Sequence, residues 1–193
     1  MRLRDSASKV WRLDVEDGSL ATSCSEFTND CIVLLRPVSE SANKLSSDSA
    51  SDSDAVQVFD SWASVLGADD WARWCAPHTD SLLTAARNAG AVAIHYVNGA
   101  AQHIDRMAQS PAHVLGVDWR LPMRELRRRA PQYTLQGNLD PCALFASEAQ
   151  LRREVAAICR DGGERHIFNL GHGILPNTDP AAVAAIVDEV RRS

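Results

Sequence analysis

Two polar residues lie where strand-like runs end, and their side chains can form hydrogen bonds to a ligand. His172 lies between Gly171 and Gly173 directly after the run HIFNL, and Ser61 follows the run AVQVFD. A histidine between two glycines at a strand end is more typical of a functional site than of a core, whereas a serine in such a place can also cap the next turn. We take Ser61 and His172 as the candidate binding residues.

Polar side chains follow five apolar runs of the chain, not only these two. Barrels of the α/β class place their chemistry at the C-terminal ends of all their parallel strands. An open sheet concentrates polar groups at one switch point instead. The pattern therefore favours a barrel-like arrangement. The residues concerned are Asp60, Ser61, Asn98, Asp118, Arg120, Gln136, Asn138, Asp140 and His172.

Other polar residues have a structural explanation. We expect Asp118, Asn138 and Asp140 to hydrogen-bond backbone amides and so to fix loops. His95 lies inside an apolar run and is expected to be a packed core histidine. The arginine-rich stretch 124–129 is expected to form the solvated face of a helix.

Strand-like runs alternate with amphipathic helices from Ala55 to the end of the chain, beginning with one helix over 71–90. Consecutive strand–helix units imply right-handed parallel crossovers. The sequence thus predicts an α/β fold: a partial TIM (β/α) barrel of about five consecutive parallel βα units, covered on its outer face by helices. The predicted strands are 56–59, 92–97, 113–119, 133–138 and 166–171.

The first 54 residues form a largely irregular, low-complexity N-terminal segment. Residues 1–30 show no clear period, and the run CIVLL at 31–35 predicts one short strand. The Ser/Asp-rich stretch 39–54 has too few apolar groups to offset its ordering entropy, so we expect a disordered or extended linker. We therefore divide the chain into this segment, 1–54, and a half-barrel, 55–193.

The composition argues against several functions. A net charge of −5 over 193 residues does not suit the basic surface that nucleic-acid phosphates require. Five cysteines without a C-x-x-C pair predict no disulfide framework and no metal site, as in a reducing compartment. No apolar run approaches the roughly 20 residues that span a bilayer, and no signal or transit peptide is evident. We expect a soluble cytoplasmic protein without nucleic-acid or membrane partners; a plastid location stays open.

Four segments resemble the C-terminal half of the uroporphyrinogen decarboxylase family. They are AVQVFDSW, VLGVDWR, TLQGNLDP and FNLGHG, in the family's order, and the resemblance runs from Ala55 to Ser193. It implies that Ser61 is the family's substrate-binding serine or threonine. It also implies that His172 is the family's substrate-binding histidine.

The resemblance implies a carboxy-lyase of porphyrin and haem biosynthesis. Members of this family convert uroporphyrinogen III to coproporphyrinogen III and four CO2, without a cofactor or a metal, and they form homodimers. The partners expected for this chain are therefore a tetrapyrrole substrate, uroporphyrinogen, and a second copy of the chain.

The chain departs from the family in its N-terminal part, and about three of the eight βα units of a barrel have no counterpart. We find no R-Q-A-G-R segment, whose arginines bind substrate carboxylates in the family, no counterpart of the catalytic aspartate, and none of a tyrosine near the reacting centre. Stabilising the cationic pyrrole of this reaction requires a buried carboxylate, a contribution of several kcal/mol. We therefore identify no catalytic residue and expect a truncated chain that is inactive by itself.

Two alternatives make different demands on the sequence. A non-catalytic remnant, which binds porphyrinogen weakly or serves as an interaction module, stays open. A zinc- and corrinoid-linked methyltransferase of the same superfamily fits less well. Its His-x-Cys zinc pair falls here on His95-Tyr96-Val97, and zinc requires a thiolate that Val97 does not provide.

A sheet of five strands that does not close has two edges. We expect these edges at 56–59 and 166–170, and the strand at 31–35 could cover one of them. Exposed parallel edges with apolar faces promote association. Although the composition is that of a soluble protein, we therefore expect the purified 193-residue chain by itself to be poorly soluble or self-associated.

Overall fold

A computed structural model of the protein describes residues 54–193 and, in the preceding part of the chain, the backbone of three strands. The rest of the predicted irregular segment 1–54, with nearly all of the linker 39–54, lies outside the described residues. The division of the chain at residue 54 and the disorder of the linker therefore stay predictions.

The described strands and helices alternate regularly from Ala55 onward. The strands are β1 Lys9–Glu16, β2 Ser19–Ser23, β3 Cys31–Leu35, β4 Ala55–Asp60, β5 Val92–Val97, β6 Val114–Val117, β7 Thr134–Leu139 and β8 His166–Leu170. The α-helices are α1 Ala68–Trp74, α2 Ala76–Asn88, α3 Ala100–Met107, α4 Met123–Arg129, α5 Glu148–Gly162 and α6 Pro180–Arg192. Short 3₁₀ helices occur at Ala63–Val65, Pro141–Phe145 and Gly163–Arg165.

One sheet contains all these strands, in the order β2-β1-β3-β4-β5-β6-β7-β8. The last five strands pair in parallel and in chain order, which confirms the predicted run of five consecutive βα units. The register places Val58, His95, Leu115, Leu135 and His166 in one row across the sheet.

The sheet is curved, as two hydrogen bonds across its concave face show. The Tyr96 hydroxyl on β5 donates to the carbonyl of Gly171, just after β8, at 2.9 Å. Gln136 Nε2 on β7 donates to Gln57 Oε1 on β4 at 3.2 Å. Each bond joins positions three strands apart, roughly 14 Å along a flat sheet, so the strands must bend towards one another as in a segment of a barrel.

The convex face of the sheet packs on the helices. Side chains alternate along each strand, so that Val58 and Leu115 point away from the concave face and join a buried apolar cluster with Leu83, Ile104 and Leu126 of the helices. A smaller cluster lies between β8 and the last two helices. Among the described residues, no helix has both the length and the apolar character needed to cross a membrane.

Two predictions about the elements were wrong. The single helix expected over 71–90 is two helices, because the chain turns at Cys75 and Pro77 then lies in the first turn of α2, where its missing N–H is tolerated. The edge expected at 56–59 is covered, because β3 pairs antiparallel with β4. β3 itself was predicted, and the outer strand β8 remains at the other end of the sheet order.

The strands β1 and β2 were not predicted. The segment KVWRLDVE alternates polar and apolar residues from Trp11 to Glu16, which is the period-two signal of a strand. β1 pairs antiparallel with β2 and parallel with β3, so these strands extend the sheet beyond β4.

His95 lies in the core, as predicted for a packed histidine. It is 1% exposed on β5, and its ring stacks on that of Trp71 with 6.0 Å between the centroids. Neither ring nitrogen has a hydrogen-bond partner among the described residues. Burial, helped by the positive charge of Arg106 and by His103, lowers the pKa of His95 to about 3. The folded protein therefore holds this imidazole neutral.

The buried imidazole makes stability depend on pH. The unfolded chain binds a proton at His95 below its ordinary pKa of 6.5, whereas the folded chain does so only near 3. The contribution to the free energy of unfolding is therefore complete above pH 6.5 and is lost as the pH falls, by about 2 kcal/mol at pH 5. Replacing His95→Leu should reduce the loss of stability between pH 7 and pH 5 by about this amount, measured by urea unfolding. The exposed His78→Leu serves as the control, and an unchanged loss in the His95 variant would refute the prediction.

Candidate functional site

The two candidate binding residues lie at the same edge of the sheet. Ser61 follows β4 directly and His172 follows β8 after one glycine, and both strands run in the same direction. Ser61 is half-buried and His172 is exposed. That both side chains face one ligand stays a prediction.

A chain of hydrogen bonds links the ends of β4, β5 and β6. Asn98 Nδ2 donates to the Ser61 carbonyl at 3.2 Å. The Arg120 guanidinium donates from Nη1 to Asn98 Oδ1 at 2.8 Å and forms an ion pair with Asp118. The polar residues that the sequence placed after successive strands are therefore in contact with one another.

Asp118 is the buried centre of this arrangement. Its side chain is fully buried, and its Oδ2 accepts the Gly99 N–H at 2.7 Å as well as the bond from Arg120. Its backbone carbonyl accepts a bond from Asn138 Nδ2 at 3.1 Å. Asp118 thus holds the loops after β5 and β6 together, and Asn138 fixes the same loop from β7, as the sequence predicted for loop-fixing groups. Asp140 behaves likewise, because its Oδ1 accepts the Cys142 N–H at 2.8 Å.

An aromatic surface joins this polar chain to His172. The guanidinium carbon of Arg120 lies 4.4 Å from the centre of the Trp119 ring. The Trp119 ring also contacts the His172 ring, edge to face, with 6.2 Å between centroids. His172 Nδ1 accepts the Gly173 N–H at 2.7 Å, so a neutral imidazole carries its proton on Nε2. Nε2–H is then the donor that His172 can offer to a ligand.

Gly171 fits into the backbone of the neighbouring strand end. Its N–H donates to the Leu139 carbonyl at 2.7 Å, and its carbonyl accepts the Tyr96 hydroxyl. Burial raises the pKa of Tyr96, which keeps the phenol protonated as a donor. A Cβ at Gly171 would lie 2.6 Å from the Trp119 backbone nitrogen. Only glycine therefore allows the His172 loop to approach Trp119 this closely.

Arg120 and Asn98 were predicted only as polar residues that follow strands, not as residues of the binding site. Their spacing in the chain carries no signal that Arg120 reaches back to Asn98, a contact between residues 22 positions apart. Trp119 was quoted within the segment VLGVDWR and given no role. The missed signal was the arginine that follows an aspartate and a tryptophan at a strand end.

The residues present do not fit the zinc pair considered from the sequence. His95 points to the helix-packed face in the middle of β5, where the register pairs it with Val58 and Leu115. In residues 54–193, no three His, Cys, Asp or Glu side chains form a group that could hold a metal ion.

A methyl group at Gly171 should disturb the site. Gly171→Ala places a Cβ against the Trp119 backbone, and such overpacking costs about 1–3 kcal/mol of unfolding free energy. Gly173→Ala is the matched control, because a Cβ there meets no atom within 4 Å. We expect a lower melting temperature and a shifted Trp119 indole N–H resonance for the first variant alone. Equal melting temperatures for the two variants would contradict the close packing.

Comparisons with known proteins show which family the chain resembles. The family model for uroporphyrinogen decarboxylase matches residues 38–193. A uroporphyrinogen decarboxylase of Frankia casuarinae is 46% identical over 141 residues, with 71% of this chain and 38% of that protein covered. The uroporphyrinogen decarboxylase of Nocardia farcinica is 43% identical over 145 residues, covering 71% of this chain and 41% of the relative. The chain thus spans about 40% of the length of these curated relatives.

A solved structure supports the fold independently. A methyltransferase from Methanosarcina mazei superposes with a TM-score of 0.64 at 18% identity, covering 73% of this chain and 42% of the other. Identity at this level shows a common fold and nothing about the reaction. The family follows from the sequence match, which includes the strand ends that carry Ser61, Asp118 and His172: the chain belongs to the uroporphyrinogen decarboxylase family.

Proposed function

We propose that this chain forms the C-terminal part of a uroporphyrinogen decarboxylase and binds the tetrapyrrole substrate at the C-terminal edge of its sheet. The observation that carries the proposal is the family match over residues 38–193, together with Ser61 and His172 at one edge of the parallel sheet. The whole reaction would convert uroporphyrinogen III to coproporphyrinogen III with release of four CO2.

The proposed roles of Ser61 and His172 follow from their chemistry. Each acetate group is lost after the pyrrole ring is protonated, because the electrons of the breaking C–C bond then flow into the cationic ring. Ser61 and the Nε2–H of His172 can hold the substrate through hydrogen bonds while this occurs. Neither of them supplies the negative charge that stabilises the cationic ring.

The acids at this edge are already engaged. Asp118 pairs with Arg120 and accepts the Gly99 N–H, and Asp60 accepts the Trp71 indole N–H at 2.5 Å. Their charges therefore serve the fold. We propose that the catalytic carboxylate comes from another part of the enzyme, beyond the described residues 54–193.

The remaining features of the family are proposals for this chain as well. We propose a homodimer, as the resemblance implies, and a cytoplasmic location. The described cysteines Cys142 and Cys159 are free thiols, which suits a reducing compartment.

Substrate binding can be tested with uroporphyrin I, the stable oxidised analogue of one substrate isomer. His172→Ala and Ser61→Ala should each weaken binding by about tenfold, the loss expected for one hydrogen bond to a charged group. The exposed His78→Ala is the control and should bind like the unsubstituted chain. Fluorescence titration measures all four proteins, and equal affinities would remove the proposed site.

Catalysis by the 193 residues alone is a separate question. The carboxylates of Asp60, Asp118 and Asp140 at this edge each already accept a hydrogen bond from another residue of the fold. We therefore expect no conversion of uroporphyrinogen to coproporphyrinogen by the chain alone. The chain is incubated anaerobically with uroporphyrinogen, and the oxidised products are separated by chromatography. Seven- to four-carboxyl porphyrins above a no-enzyme control would show that Asp60 or Asp118 performs the stabilising role.

A further inference from the structure

We propose that Arg120 is a carboxylate-binding residue of this site, held for that task by Asp118, Asn98 and Trp119. The inference rests on the proposed function, which it deepens by naming the cation that this part of the enzyme offers to a substrate acetate or propionate. Neither the sequence match nor the family resemblance assigns Arg120 a role.

The guanidinium of Arg120 is fixed on two sides. Its Nη1 donates to Asn98 and to the fully buried Asp118, and its central carbon lies over the Trp119 ring, 4.4 Å from the ring centre. A side chain held in this way has lost its rotamer freedom before a ligand arrives. Binding then costs less conformational entropy than it does for an unrestrained arginine.

The opposite edge of the same guanidinium remains available. The Arg120 side chain is 45% exposed, and its Nε and Nη2 donate no hydrogen bond to any residue in the range 54–193. These two N–H groups form the fork that matches the two oxygens of a carboxylate.

Two neighbouring arginines show what this fork does when a carboxylate is within reach. Arg128 donates from Nε and Nη2 to the two oxygens of Glu125, at 2.9 and 2.5 Å. Arg129 does the same with Asp105, at 3.0 and 2.6 Å. Arg120 has its own carboxylate on Nη1 instead, which leaves the fork without an internal partner within the described part of the chain.

The position of Arg120 suits a ligand with several carboxylates. Through Asn98 it is linked to the Ser61 backbone, and through Trp119 it is linked to His172. One carboxylate of uroporphyrinogen can therefore bind the Arg120 fork while other groups of the same molecule contact Ser61 and His172. The negative charge of Asp118 balances the positive charge of Arg120. The site therefore selects a planar carboxylate through the geometry of the Arg120 N–H groups more than through a net positive charge.

The test compares binding of uroporphyrin I to four forms of the full chain. Arg120→Met should bind at least about tenfold more weakly than the unsubstituted chain, the loss expected for a charge-assisted pair. Arg120→Lys keeps the ion pair with Asp118 but has no fork, so it should show most of this loss. Arg124→Met, on the exposed surface of α4, is the control for charge and should bind normally. Unchanged binding by both Arg120 variants overturns the inference and leaves the proposed function intact.

Two further measurements test the role of Arg120 if the first variant does not fold or if the chain does not bind uroporphyrin I. Arg120→Met leaves Asp118 buried without its cation; if that variant does not fold, Asp118→Asn combined with Arg120→Met removes both charges and takes its place. If the unsubstituted chain does not bind uroporphyrin I, the proposed function fails, and titration with sodium acetate judges Arg120 separately. A shift of the Arg120 Nε–H resonance without a shift of Arg124 supports a carboxylate site, and the absence of that shift overturns it.

Discussion

The burial of one carboxylate, that of Asp118, organises the end of the sheet where the site lies. A charged group that is buried away from water must be paired and hydrogen-bonded. For Asp118 the partners are the Arg120 guanidinium and the Gly99 N–H. The bond to Gly99 joins the loop after β6 to the loop after β5, and Arg120, held by Asp118, bonds Asn98 in that same loop after β5. Asn98 and Trp119 are placed by the same loops, and through them the ends of β4 and β8 are joined to the arrangement. Neutralising Asp118 would therefore affect more than one hydrogen bond.

The curvature of the sheet is the second constraint, and it depends on contacts that no single strand can provide. Tyr96 spans the concave face to reach the carbonyl of Gly171 after β8, and Gly171 itself packs against the Trp119 backbone. The same bend brings Gln136 to Gln57. The bend and the position of the His172 loop are therefore linked through the bond from Tyr96 to Gly171. Curvature and site geometry are thus one property of the chain.

Local patterns predicted most of the fold from the sequence. The apolar runs that became β4–β8, each followed by a polar residue and then by a helix, indicated five parallel units and the edge that carries Ser61 and His172. The break between α1 and α2 was missed although Pro77 marks it. The pairing of β3 with β4 was mentioned only as a possibility, because a run of apolar residues does not specify its neighbour. Contacts between residues far apart in the chain, such as Arg120 with Asn98, produce no periodic pattern in the sequence, so only the three-dimensional structure shows them.

The residues of the site offer two kinds of interaction to a ligand, hydrogen bonds and a positive charge. Ser61 and His172 offer hydrogen bonds, and Arg120 offers a positive fork whose own charge is balanced by Asp118. An edge of this kind can hold and orient a polycarboxylate without binding every anion in its surroundings, because the net charge of the pair is near zero. The buried acid of this edge, Asp118, does not offer its charge to a cationic pyrrole, because it is paired with Arg120. The proposed reaction therefore needs residues from elsewhere in the enzyme, including an acid that is not paired with a cation and can face the pyrrole ring. Substrate orientation and stabilisation of the cation would then come from different parts of the enzyme, and only their joint geometry would permit catalysis.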